Sequence, residues 1–376
     1  MERTRIVALV MLILLSASVQ PSTLKVLSAE TSGAIYIRVD GSVDPPDAPI
    51  INAGNATYRF IDDILAQDTF GLVIERDNIA IDENGYTLQG LGNGSGIRLS
   101  KRENVTILNT HIVGFRYGVY LDFSSNNVIV GNNLSANSYS GINLFNSSSN
   151  NRVSGNSIES NEKVGVRLYL SNSNTIIGNN IMTNNLTGIS STESSHNDII
   201  ENNISNNTAG IFLNTRSNFN LVRGNSIKAN FDGIRVELGC SDNTFYHNNL
   251  VDNSNQVYIE NSVGSLWDHG YPSGGNYWSD YVGLDADGDG IGDTPHVLNP
   301  QDVDNYPLML PFRRTPIPFD TNDDGVVDII DCATVALAFG SISSDPNWNL
   351  IADINKDGII DVLDIVGVAL HFGETS

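Results

Sequence analysis

The amino-acid sequence predicts a mainly β protein, in which a right-handed parallel β-helix is followed by a small α-helical domain. A four-residue phrase (glycine, branched apolar, any residue, apolar) recurs at steps of 22 to 24 residues, and an asparagine marker keeps the same step. Such a period is typical of a solenoid, in which one structural unit stacks on copies of itself. The phrase reads GIRL 96–99, GVYL 118–121, GINL 141–144, GVRL 165–168, GISS 188–191, GIFL 210–213, GIRV 233–236 and, degenerately, QVYI 256–259; the asparagines are Asn104, Asn127, Asn151, Asn174, Asn197, Asn220 and Asn243.

Charge and cysteine content limit the classes of protein. The formal net charge is -23, and from Asp280 onward 18 acidic residues stand against 3 basic ones, a local net charge of 3 − 18 = −15. This block favours bound cations and argues against a nucleic-acid partner, because phosphate binding needs a basic surface. The two cysteines, Cys240 and Cys332, lie in different predicted domains, so we expect two unpaired buried thiols.

The N-terminal residues 1–29 have the pattern of a secretory signal peptide, with a charged start, an apolar core and small residues at the exit. A membrane anchor would need about 20 apolar residues, so we expect an exported protein, secreted or at the cell surface. Residues 30–69 are expected to form an N-terminal cap that covers the open end of the solenoid. The segment 72–82 is interpreted as a first coil that lacks the glycine.

Residues 70–262 are expected to form the β-helix, with three short strands per coil, because short apolar runs alternate with Asn, Gly and Ser. Ile142 and Leu144 should point inward and stack on their equivalents in neighbouring coils. We expect the repeated glycine to allow a left-handed backbone bend. Asparagines at equivalent turns are expected to form a ladder of stacked amides: Asn156, Asn179, Asn202, Asn225 and Asn248.

This array resembles the NosD-like family of right-handed, pectin-lyase-like β-helix proteins with carbohydrate-binding and sugar-hydrolysis repeats. The resemblance covers about residues 70–310 and includes GGNYWSDYVGLDADGDGIGDTPHVL at 274–298, which is similar to the family's terminal segment. Residues 263–310 are assigned to that segment, in which Tyr277, Trp278 and Tyr281, with Trp267, should seal the last coil. The family name suggests copper, but copper sites need clustered His, Met or Cys. The histidines are widely spaced in the sequence, so copper is not supported: His111, His196, His247, His269, His296 and His371.

Two columns of side chains are predicted to face outward along the array. The first is Arg98, Tyr120, Asn143, Arg167, Ser190, Phe212, Arg235 and Tyr258, and the second is Ser100, Asp122, Phe145, Tyr169, Thr192, Asn214, Glu237 and Glu260. Aromatic rings and arginines can stack on sugar rings and hold acidic sugars. The candidate carbohydrate-binding residues are Arg167, Tyr169, Phe212, Arg235 and Tyr258.

Catalysis is the less favoured interpretation of this face. Arg235, Glu237, Tyr258 and Glu260 form the densest predicted patch, and Arg235, Glu237 and Glu260 are the catalytic candidates if the protein is a polysaccharide lyase or O-glycosyl hydrolase. No pair of aspartates recurs on neighbouring coils, so no catalytic residue is assigned. The outward residues could also serve only strand formation and solubility.

Two duplicated acidic loops near the C-terminus predict calcium sites. Oxygen ligands occupy positions 1, 3, 5, 9 and 12, a backbone carbonyl occupies position 7, and glycine makes the sharp turn at position 6. The ligands are Asp320, Asn322, Asp324, Val326, Asp328 and Asp331 in the first loop, and Asp353, Asn355, Asp357, Ile359, Asp361 and Asp364 in the second. Each loop leads into an apolar helical segment, and such paired units resemble dockerin domains, which bind calcium and dock onto cohesin modules. Residues 320–376 are assigned to a dockerin domain, and residues 311–319 to a linker.

The resemblance to dockerins implies a cohesin-binding surface around Ile329, Ile330, Val362 and Leu363, which would be apolar and nearly two-fold symmetric. A third acidic loop has Asp285, Asp287, Asp289, Ile291 and Asp293 at positions 1, 3, 5, 7 and 9. Its position 12 is His296, a poor calcium ligand, so the closing carboxylate is expected from Asp302 or Asp304. We favour a structural calcium site over an unliganded turn in this loop.

The sequence therefore favours an exported β-helix protein that binds a polysaccharide or cell-surface glycan and attaches to a cohesin-type partner through a calcium-dependent dockerin. One alternative is a polysaccharide lyase or glycoside hydrolase that the dockerin delivers to a surface complex. A second alternative is a purely structural surface protein. No stretch after the signal peptide approaches the length of a membrane span, so no transmembrane segment is expected in the mature chain.

Overall fold

The computed structural model is a parallel β-helix followed by a small helical unit, and it describes residues 29–31, 33–54, 56–67, 69–313, 319–321, 327–342, 348–349 and 351–374. The predicted signal peptide lies outside the described residues except for Ala29. Each coil contributes one strand to each of three sheets, and strands of successive coils pair in parallel. The prediction of three short strands per coil is confirmed.

Strands are numbered in chain order and grouped here by sheet. Sheet 1 contains β2 Ile35–Ile37, β3 Val43–Asp44, β7 Phe70–Ile74, β10 Ser95–Ser100, β13 Tyr117–Asp122, β16 Ser140–Phe145, β19 Val164–Tyr169, β22 Thr187–Thr192, β25 Ala209–Asn214, β28 Asp232–Glu237 and β31 Asn255–Glu260. Sheet 2 contains β4 Ile50–Asn52, β5 Thr57–Phe60, β8 Ile79–Asp82, β11 Val105–Leu108, β14 Val128–Val130, β17 Arg152–Ser154, β20 Thr175–Ile177, β23 Asp198–Ile200, β26 Leu221–Arg223 and β29 Thr244–Tyr246. Sheet 3 contains β1 Ala29–Thr31, β6 Ile64–Ala66, β9 Thr87–Gln89, β12 His111–Val113, β15 Asn133–Ser135, β18 Ser157–Glu159, β21 Asn180–Met182, β24 Asn203–Ser205, β27 Ser226–Lys228, β30 Asn249–Val251 and β32 Tyr277–Trp278, and a separate antiparallel pair joins β33 His296–Val297 to β34 Val303–Asp304.

The interior of the β-helix is a stack of aliphatic side chains in strict register. Ile142 pairs with Val119 on one side and Val166 on the other, and Leu144 lies between the equivalent leucines of the same strands. All of these side chains are fully buried. Because each coil buries its apolar residues only against its neighbours, the stability of the rod is a sum of contacts between adjacent coils.

The polar turns are held by ladders of buried amides, as predicted for one of them. The Nδ2 of Asn179 donates to Oδ1 of Asn202 at 2.9 Å, and the Nδ2 of Asn202 donates to Oδ1 of Asn225 at 3.0 Å. Two further asparagine ladders and one serine ladder run parallel to it. The predicted ladder extends over Asn132, Asn156, Asn179, Asn202, Asn225, Asn248 and Asn276; the others are Asn127, Asn151, Asn174, Asn197, Asn220 and Asn243, then Asn137, Asn161, Asn184, Asn207, Asn230 and Asn253, and then Ser124, Ser148, Ser171, Ser194 and Ser217. Asn104, expected among the markers, belongs instead to an exposed neighbouring column, where it donates to Asn78.

The repeated glycine has a different role from the one predicted. None of the glycines of the phrase has a positive φ, so the expected left-handed bend is wrong. A Cβ on Gly188 would lie 2.7 Å from the carbonyl oxygen of Gly210, and one on Gly210 would lie 2.6 Å from that of Gly233. The phrase needs glycine because the backbones of adjacent coils approach too closely for a side chain. Gly71 approaches Gly96 in the same way. The coil assigned to 72–82 therefore does have a phrase glycine, which stands one residue before the predicted start of that coil.

Left-handed residues do occur, and many of them immediately precede a ladder position. Ser173, Gly178 and Thr183 have φ of 57°, 63° and 54°, and each is followed by a ladder asparagine. Short polar residues tolerate this conformation best, which explains why the turns are rich in Asn, Ser and Gly. The turns therefore bend at one residue and are locked by the amide of the next.

Residues expected as the cap already contribute a coil. Strands β2, β5 and β6 pair in parallel with β7, β8 and β9, while β3 and β4 add antiparallel partners at that end. At the opposite end, the predicted aromatic plug is present. Trp267 and Trp278 are 1% exposed, Trp267 stacks on Phe245 with ring centroids 4.2 Å apart, and Tyr281 packs against the same core.

The C-terminal unit has its own small core. Helix α1 (Ile329–Leu337) begins at Asp328 and helix α2 (Val362–Ala369) begins at Asp361, and both start with a capping box. Val335 and Val368 are fully buried between them. In the part of the chain that the structure describes, neither helix is long and apolar enough to cross a membrane. Cys332 is buried in this core and Cys240 in the β-helix, and both thiols are free, as expected.

Candidate functional site

The two outward columns lie on sheet 1 in the predicted register. Arg98 pairs with Tyr120, which pairs with Asn143 and then Arg167, and the second column follows two residues further along each strand. One strand step along the sheet is about 4.8 Å, so side chains of adjacent coils touch across the face. The structure therefore fixes which of the candidate residues are neighbours.

In the predicted densest patch, the charge of Arg235 is already paired with carboxylates. Arg235 donates from Nε to Oε1 of Glu237 at 2.7 Å and lies 3.5 Å from a carboxylate oxygen of Asp232. The hydroxyl of Tyr258 donates to Glu260 at 3.0 Å. Arg235 also lies over the rings of Phe212 and Tyr258, 5.3 and 5.0 Å from their centroids. The cation at this end of the face is therefore already compensated and is not free to bind an anionic ligand.

A larger cluster occupies the N-terminal half of the same sheet, and we call it the aromatic–basic face. Its rings touch in sequence: Tyr117 and Tyr120 have centroids 5.1 Å apart, Tyr117 and Tyr139 5.4 Å, and Phe145 and Tyr169 5.1 Å. Tilted and offset ring pairs at these separations are the favoured geometries. The result is a continuous strip of rings that crosses three coils.

Three basic side chains lie over this strip. The guanidinium of Arg167 is 4.7 Å from the centroid of Tyr169, that of Arg116 is 5.2 Å from Tyr117, and the ammonium of Lys163 is 4.9 Å from Tyr139. These are cation–π distances. Within the described residues, none of these cations, nor Arg98, has a carboxylate within salt-bridge distance.

The face opens into a cavity at its N-terminal end. The cavity has a volume of about 430 Å³. Its lining contains two arginines, three aromatic rings and small polar groups: Thr69, Phe70, Asn93, Gly94, Ser95, Arg98, Arg116, Tyr117 and Tyr120. Burial raises the pKa of the Tyr120 phenol, Asp122 and Tyr117 add to that rise, and Arg98 and Arg167 on either side oppose it. At neutral pH the phenol is therefore a neutral hydrogen-bonding group between two fixed cations.

Sequence reasoning missed four members of this face: Arg116, Tyr117, Tyr139 and Lys163. Tyr117 is the first residue of β13, and Arg116, Tyr139 and Lys163 each come just before a strand of sheet 1, whereas the two predicted columns contain only residues further along the strands. Arg116, Tyr139 and Lys163 each stand two residues before the glycine of a phrase. That fixed offset is the signal that identifies them.

The second C-terminal acidic loop has the hydrogen-bond pattern of a preformed cation loop. Asp353 accepts from the backbone nitrogens of Asp357 at 3.2 Å and Gly358 at 3.1 Å, and Asp357 accepts from Ile359 at 2.9 Å. Asp364, which is fully buried, closes the loop by accepting from Ile354 and from the nitrogen of Asp361. Backbone donors thus hold the carboxylates of this loop, and hard oxygen donors suit calcium.

The first loop is described only at its ends, since Asn322, Asp324 and Val326 lie outside the described residues. The described part matches the second loop at a spacing of 33 residues. Asp331 accepts from the backbone nitrogens of Thr321 and Asp328, both at 2.7 Å, as Asp364 does for Ile354 and Asp361. The two loops are therefore equivalent where both can be compared.

The third loop repeats the same pattern within the β-helix terminal segment. Asp285 accepts from Asp289 and Gly290, Asp289 accepts from Ile291, and carboxylate oxygens of Asp285, Asp287 and Asp289 lie within 4.8 Å of one another. The loop is closed by Asp293, which accepts from Ala286 at 2.7 Å. Three carboxylates around one point, held by backbone donors, are a donor set that fits calcium.

Asp302 and Asp304, which were expected to close the third loop, contact the tryptophans of the aromatic plug instead. Asp302 accepts from Nε1 of Trp267 at 3.1 Å, and Asp304 accepts from Nε1 of Trp278 at 2.8 Å and from the nitrogen of Asn276 at 2.7 Å. The prediction that either would complete the loop is wrong, because both are buried against the indoles. Burial raises the pKa of Asp304 to about 6, although these donors favour its charged form.

The structure brings two histidines closer together than their sequence spacing suggested. His247 and His269 both contact Ser273, with His247 Nε2 2.8 Å from its carbonyl oxygen and His269 Nδ1 3.1 Å from its hydroxyl. His247 also stacks on Phe312, so its ring packs the start of the predicted linker against the last coil. Among the described residues, the single cluster of three or more metal-type side chains is the carboxylate group of Asp285, Asp287 and Asp289.

The predicted partner-binding residues lie at the first turns of the two helices. Ile329, Val362 and Leu363 are 68%, 57% and 58% exposed, and Ile330 is half-buried. Each pair follows the N-cap aspartate of its helix, which fixes it next to an acidic loop. Exposed apolar pairs at equivalent positions on two helices are a feature that a partner could cover.

Comparisons with known proteins agree with this division of the chain. A family model described as periplasmic copper-binding protein (NosD) matches residues 70–283, and one for the dockerin type I domain matches residues 318–370. No curated protein matches the chain.

Several solved structures are similar to this chain at low identity. The periplasmic alginate epimerase AlgG is 17% identical, with a TM-score of 0.42 over 64% of this chain and 82% of that one. The A-module of the mannuronan C-5 epimerase AlgE6 from Azotobacter vinelandii is 16% identical, with a TM-score of 0.43 over 56% and 73% of the two chains. The DFA-IIIase from Arthrobacter chlorophenolicus A6 is 13% identical, with a TM-score of 0.41 over 58% and 60%.

Proposed function

The chain belongs to the NosD family, and we propose that its β-helix is a non-catalytic, carbohydrate-binding rod that a C-terminal dockerin type I domain attaches to a cohesin-bearing partner. A dockerin implies a cohesin partner, and an exported, extracellular or cell-surface location suits that partnership. The family description names copper, but two histidines that contact the same serine and pack protein groups do not make a copper site.

The observation that supports carbohydrate binding is the aromatic–basic face. Sugar rings present apolar C–H faces that stack on aromatic side chains and hydroxyl groups that need hydrogen-bond partners. The face supplies both, with exposed edges of Tyr117, Tyr139 and Tyr169 beside the cations of Arg116 and Arg167. A strip of rings that crosses three coils suits an extended chain better than a single sugar.

The observation that favours a binding rod over an enzyme concerns carboxylates. Glu237, the best catalytic candidate, is engaged by Arg235, and Glu260 is engaged by Tyr258. Glycoside hydrolysis needs two carboxyl groups flanking the scissile bond. On the aromatic–basic face, Asp122 is the carboxylate of the outward columns, and it accepts from Asn146.

Calcium is assigned to the dockerin type I domain, which binds it as a class, and we extend the proposal to three loops. In both the second dockerin loop and the loop at 285–293, the side chains of the first, third and fifth residues accept hydrogen bonds from backbone nitrogens. In the dockerin, calcium would fix the starts of α1 and α2 and so present Ile329, Ile330, Val362 and Leu363 together. In the third loop, it would hold the terminal segment against the last coil.

Glycan binding by the full chain tests the proposal. We expect retention on a subset of polysaccharides with no new reducing or unsaturated ends after prolonged incubation. Replacing Tyr117, Tyr139 and Tyr169 together by alanine should weaken retention, whereas Tyr246→Ala, on sheet 2, should not. Turnover of any bound glycan, abolished by Glu237→Gln, would favour the lyase or hydrolase instead. Absence of binding across the array would favour a purely structural protein.

A further inference from the structure

We infer that the aromatic–basic face takes an anionic polysaccharide, whose acidic groups lie against Arg98, Arg116, Lys163 and Arg167. This inference rests on the proposed function and names the class of glycan. A neutral glycan needs rings and hydrogen-bond donors but gains nothing from four unpaired cations. The distribution of charge over the molecule is what separates the two classes.

The concentration of free cations is unusual for this chain. The protein has a formal net charge of -23 and only 20 lysines and arginines. Several arginines elsewhere on the β-helix have a carboxylate within salt-bridge distance, for example Arg59 with Asp82, Arg223 with Glu201 and Arg235 with Glu237. In the part of the chain that the structure describes, the four cations of the face have no such partner, and their cation–π contacts leave the charge uncompensated. An uncompensated positive patch on an acidic molecule focuses its field on anionic ligands.

The guanidinium groups of two arginines are held over aromatic rings. Arg167 lies over Tyr169 and Arg98 over Phe70, 4.7 and 4.8 Å from the ring centroids. A guanidinium held over a ring has lost side-chain freedom before ligand arrives, so less entropy is lost on binding. Its planar fork matches carboxylate and sulfate oxygens, which accept two hydrogen bonds at once.

The positions of the cations define the length of ligand. Arg98 and Arg116 line the cavity at one end, and Arg167 stands three strand steps from Arg98 in the same column. Three steps correspond to about 14 Å, which exceeds a monosaccharide. An oligomer laid along the rod would meet Arg98, Tyr120 and Arg167 in turn.

The face also has a definite end. Beyond Arg167 the column continues with Ser190, which is 8% exposed, and then with Phe212 and Arg235. Arg235 is neutralised by Asp232 and Glu237. The positive surface is thus confined to one half of the sheet, and Arg235 is a matched control: an arginine in the same column, over aromatic rings, but with its charge already paired.

Affinity measurements on the full chain test the inference. The probes are polygalacturonate, polymannuronate, hyaluronan and a sulfated galactan, each beside its carboxyl-reduced or desulfated counterpart, in EDTA so that calcium bridging is excluded. At least one anionic polymer should bind, its neutral counterpart should bind about tenfold more weakly or less, and affinity should fall steeply as salt rises. The variant R98Q/R116Q/R167Q should lose about tenfold in affinity, while R235Q and R223Q should stay within about twofold.

The outcomes separate this inference from the proposed function. Equal binding of anionic and neutral polymers, or an unchanged triple variant with unchanged circular dichroism, overturns the anionic class and leaves carbohydrate binding intact. Tight binding of neutral glycans alone does the same. Failure of every anionic and neutral glycan to bind overturns both. If the triple variant loses its fold, the single variants R98Q and R167Q replace it, each expected to lose affinity for the anionic polymer.

Discussion

At the scale of single residues, steric contact constrains the glycine of the phrase, whereas backbone conformation constrains the glycine of the turn. A Cβ on Gly188 would meet a backbone carbonyl oxygen at 2.7 Å, whereas Gly178 has open space but a φ of 63°. We predict that Gly188→Ala destabilises the fold by about 1–3 kcal/mol, because the contact is with backbone that cannot move aside. Gly178→Asn should cost well under about 1 kcal/mol, since Asn109 occupies the equivalent turn position with a φ of 51°. Denaturant unfolding of both variants measures the difference, and equal losses would contradict this account.

A ladder asparagine forms hydrogen bonds with both neighbouring coils. The Nδ2 of Asn202 reaches Ile176, Ile200 and Asn225, and its Oδ1 accepts from Asn179. We predict that Asn202→Ala lowers the free energy of unfolding by about 2–5 kcal/mol, because buried partners are left unsatisfied in two coils. Asn203→Ala, at a half-buried neighbour whose amide donates to Asn180, should cost less than about 1 kcal/mol. Thermal unfolding followed by far-ultraviolet circular dichroism compares them, and a mild effect of N202A would argue against the ladder as a stabilising element.

The buried Asp304 predicts a pH dependence of the plug. Its pKa is about 6 in the folded chain, against about 3.9 when unfolded, so the folded state binds the proton more tightly. Its protonated form therefore contributes stability that is full below about pH 4 and is lost as pH rises to about 6, roughly 3 kcal/mol in all. Relative to Asp304→Asn, the wild-type chain should lose stability between pH 4 and 6 and run parallel above pH 7. Tryptophan fluorescence during unfolding reports it; a constant difference from pH 4 to 7 would exclude the raised pKa.

At the scale of elements, the repeats and the acidic loops could be predicted because their signals are local and periodic. Strand number, inward pairs such as Ile142 and Leu144, the asparagine ladder and the free thiols all follow from composition and spacing. The role of the phrase glycine could not be predicted, because it depends on the distance between the backbones of adjacent coils. The partners of Asp302 and Asp304 also depend on how the terminal segment folds back over Trp267 and Trp278. The aromatic–basic face was only partly predicted. Its residues in the two outward columns follow from register, but Arg116, Tyr117, Tyr139 and Lys163 lie outside those columns.

The similarity of the acidic loops predicts how many calcium ions the chain binds. We predict that Asp353→Ala removes a calcium site and weakens cohesin binding, because α2 loses its fixed start. Asp285→Asn combined with Asp289→Asn should remove one calcium ion and leave cohesin binding unchanged, since that loop belongs to the β-helix terminal segment. Calorimetric titration of the full chain gives the stoichiometry, and an unchanged count in the second variant would show that the loop at 285–293 is an unliganded turn.

The exposed apolar pairs of the helices give a prediction for partner binding. Ile330→Asp with Leu363→Asp places a charge at both equivalent positions, and we expect binding to a cognate cohesin to fall by at least about tenfold because apolar contact area is replaced by desolvated charge. Val366→Asp, exposed on α2 but one turn away, is the matched control and should have a smaller effect. Undiminished binding by the double variant would place the interface elsewhere.

At the scale of the whole molecule, the two units have two separate proposed tasks. The β-helix presents a face to a polysaccharide, and the dockerin attaches the rod to a partner. Since Phe312 is hydrogen-bonded to Asn249 and stacked on His247, the start of the predicted linker is fixed to the last coil. Glycan binding should therefore be independent of calcium, whereas attachment should require it.

The most direct test is a bridging measurement that needs both tasks at once. Beads that carry type I cohesin modules are incubated with the full chain and a labelled polysaccharide that it binds, with calcium or with EDTA. We expect the polysaccharide to be retained only with chain and calcium together, and to be released by EDTA while the free chain still binds it. Retention that survives EDTA, or a chain held by cohesin that captures no polysaccharide, would contradict the account.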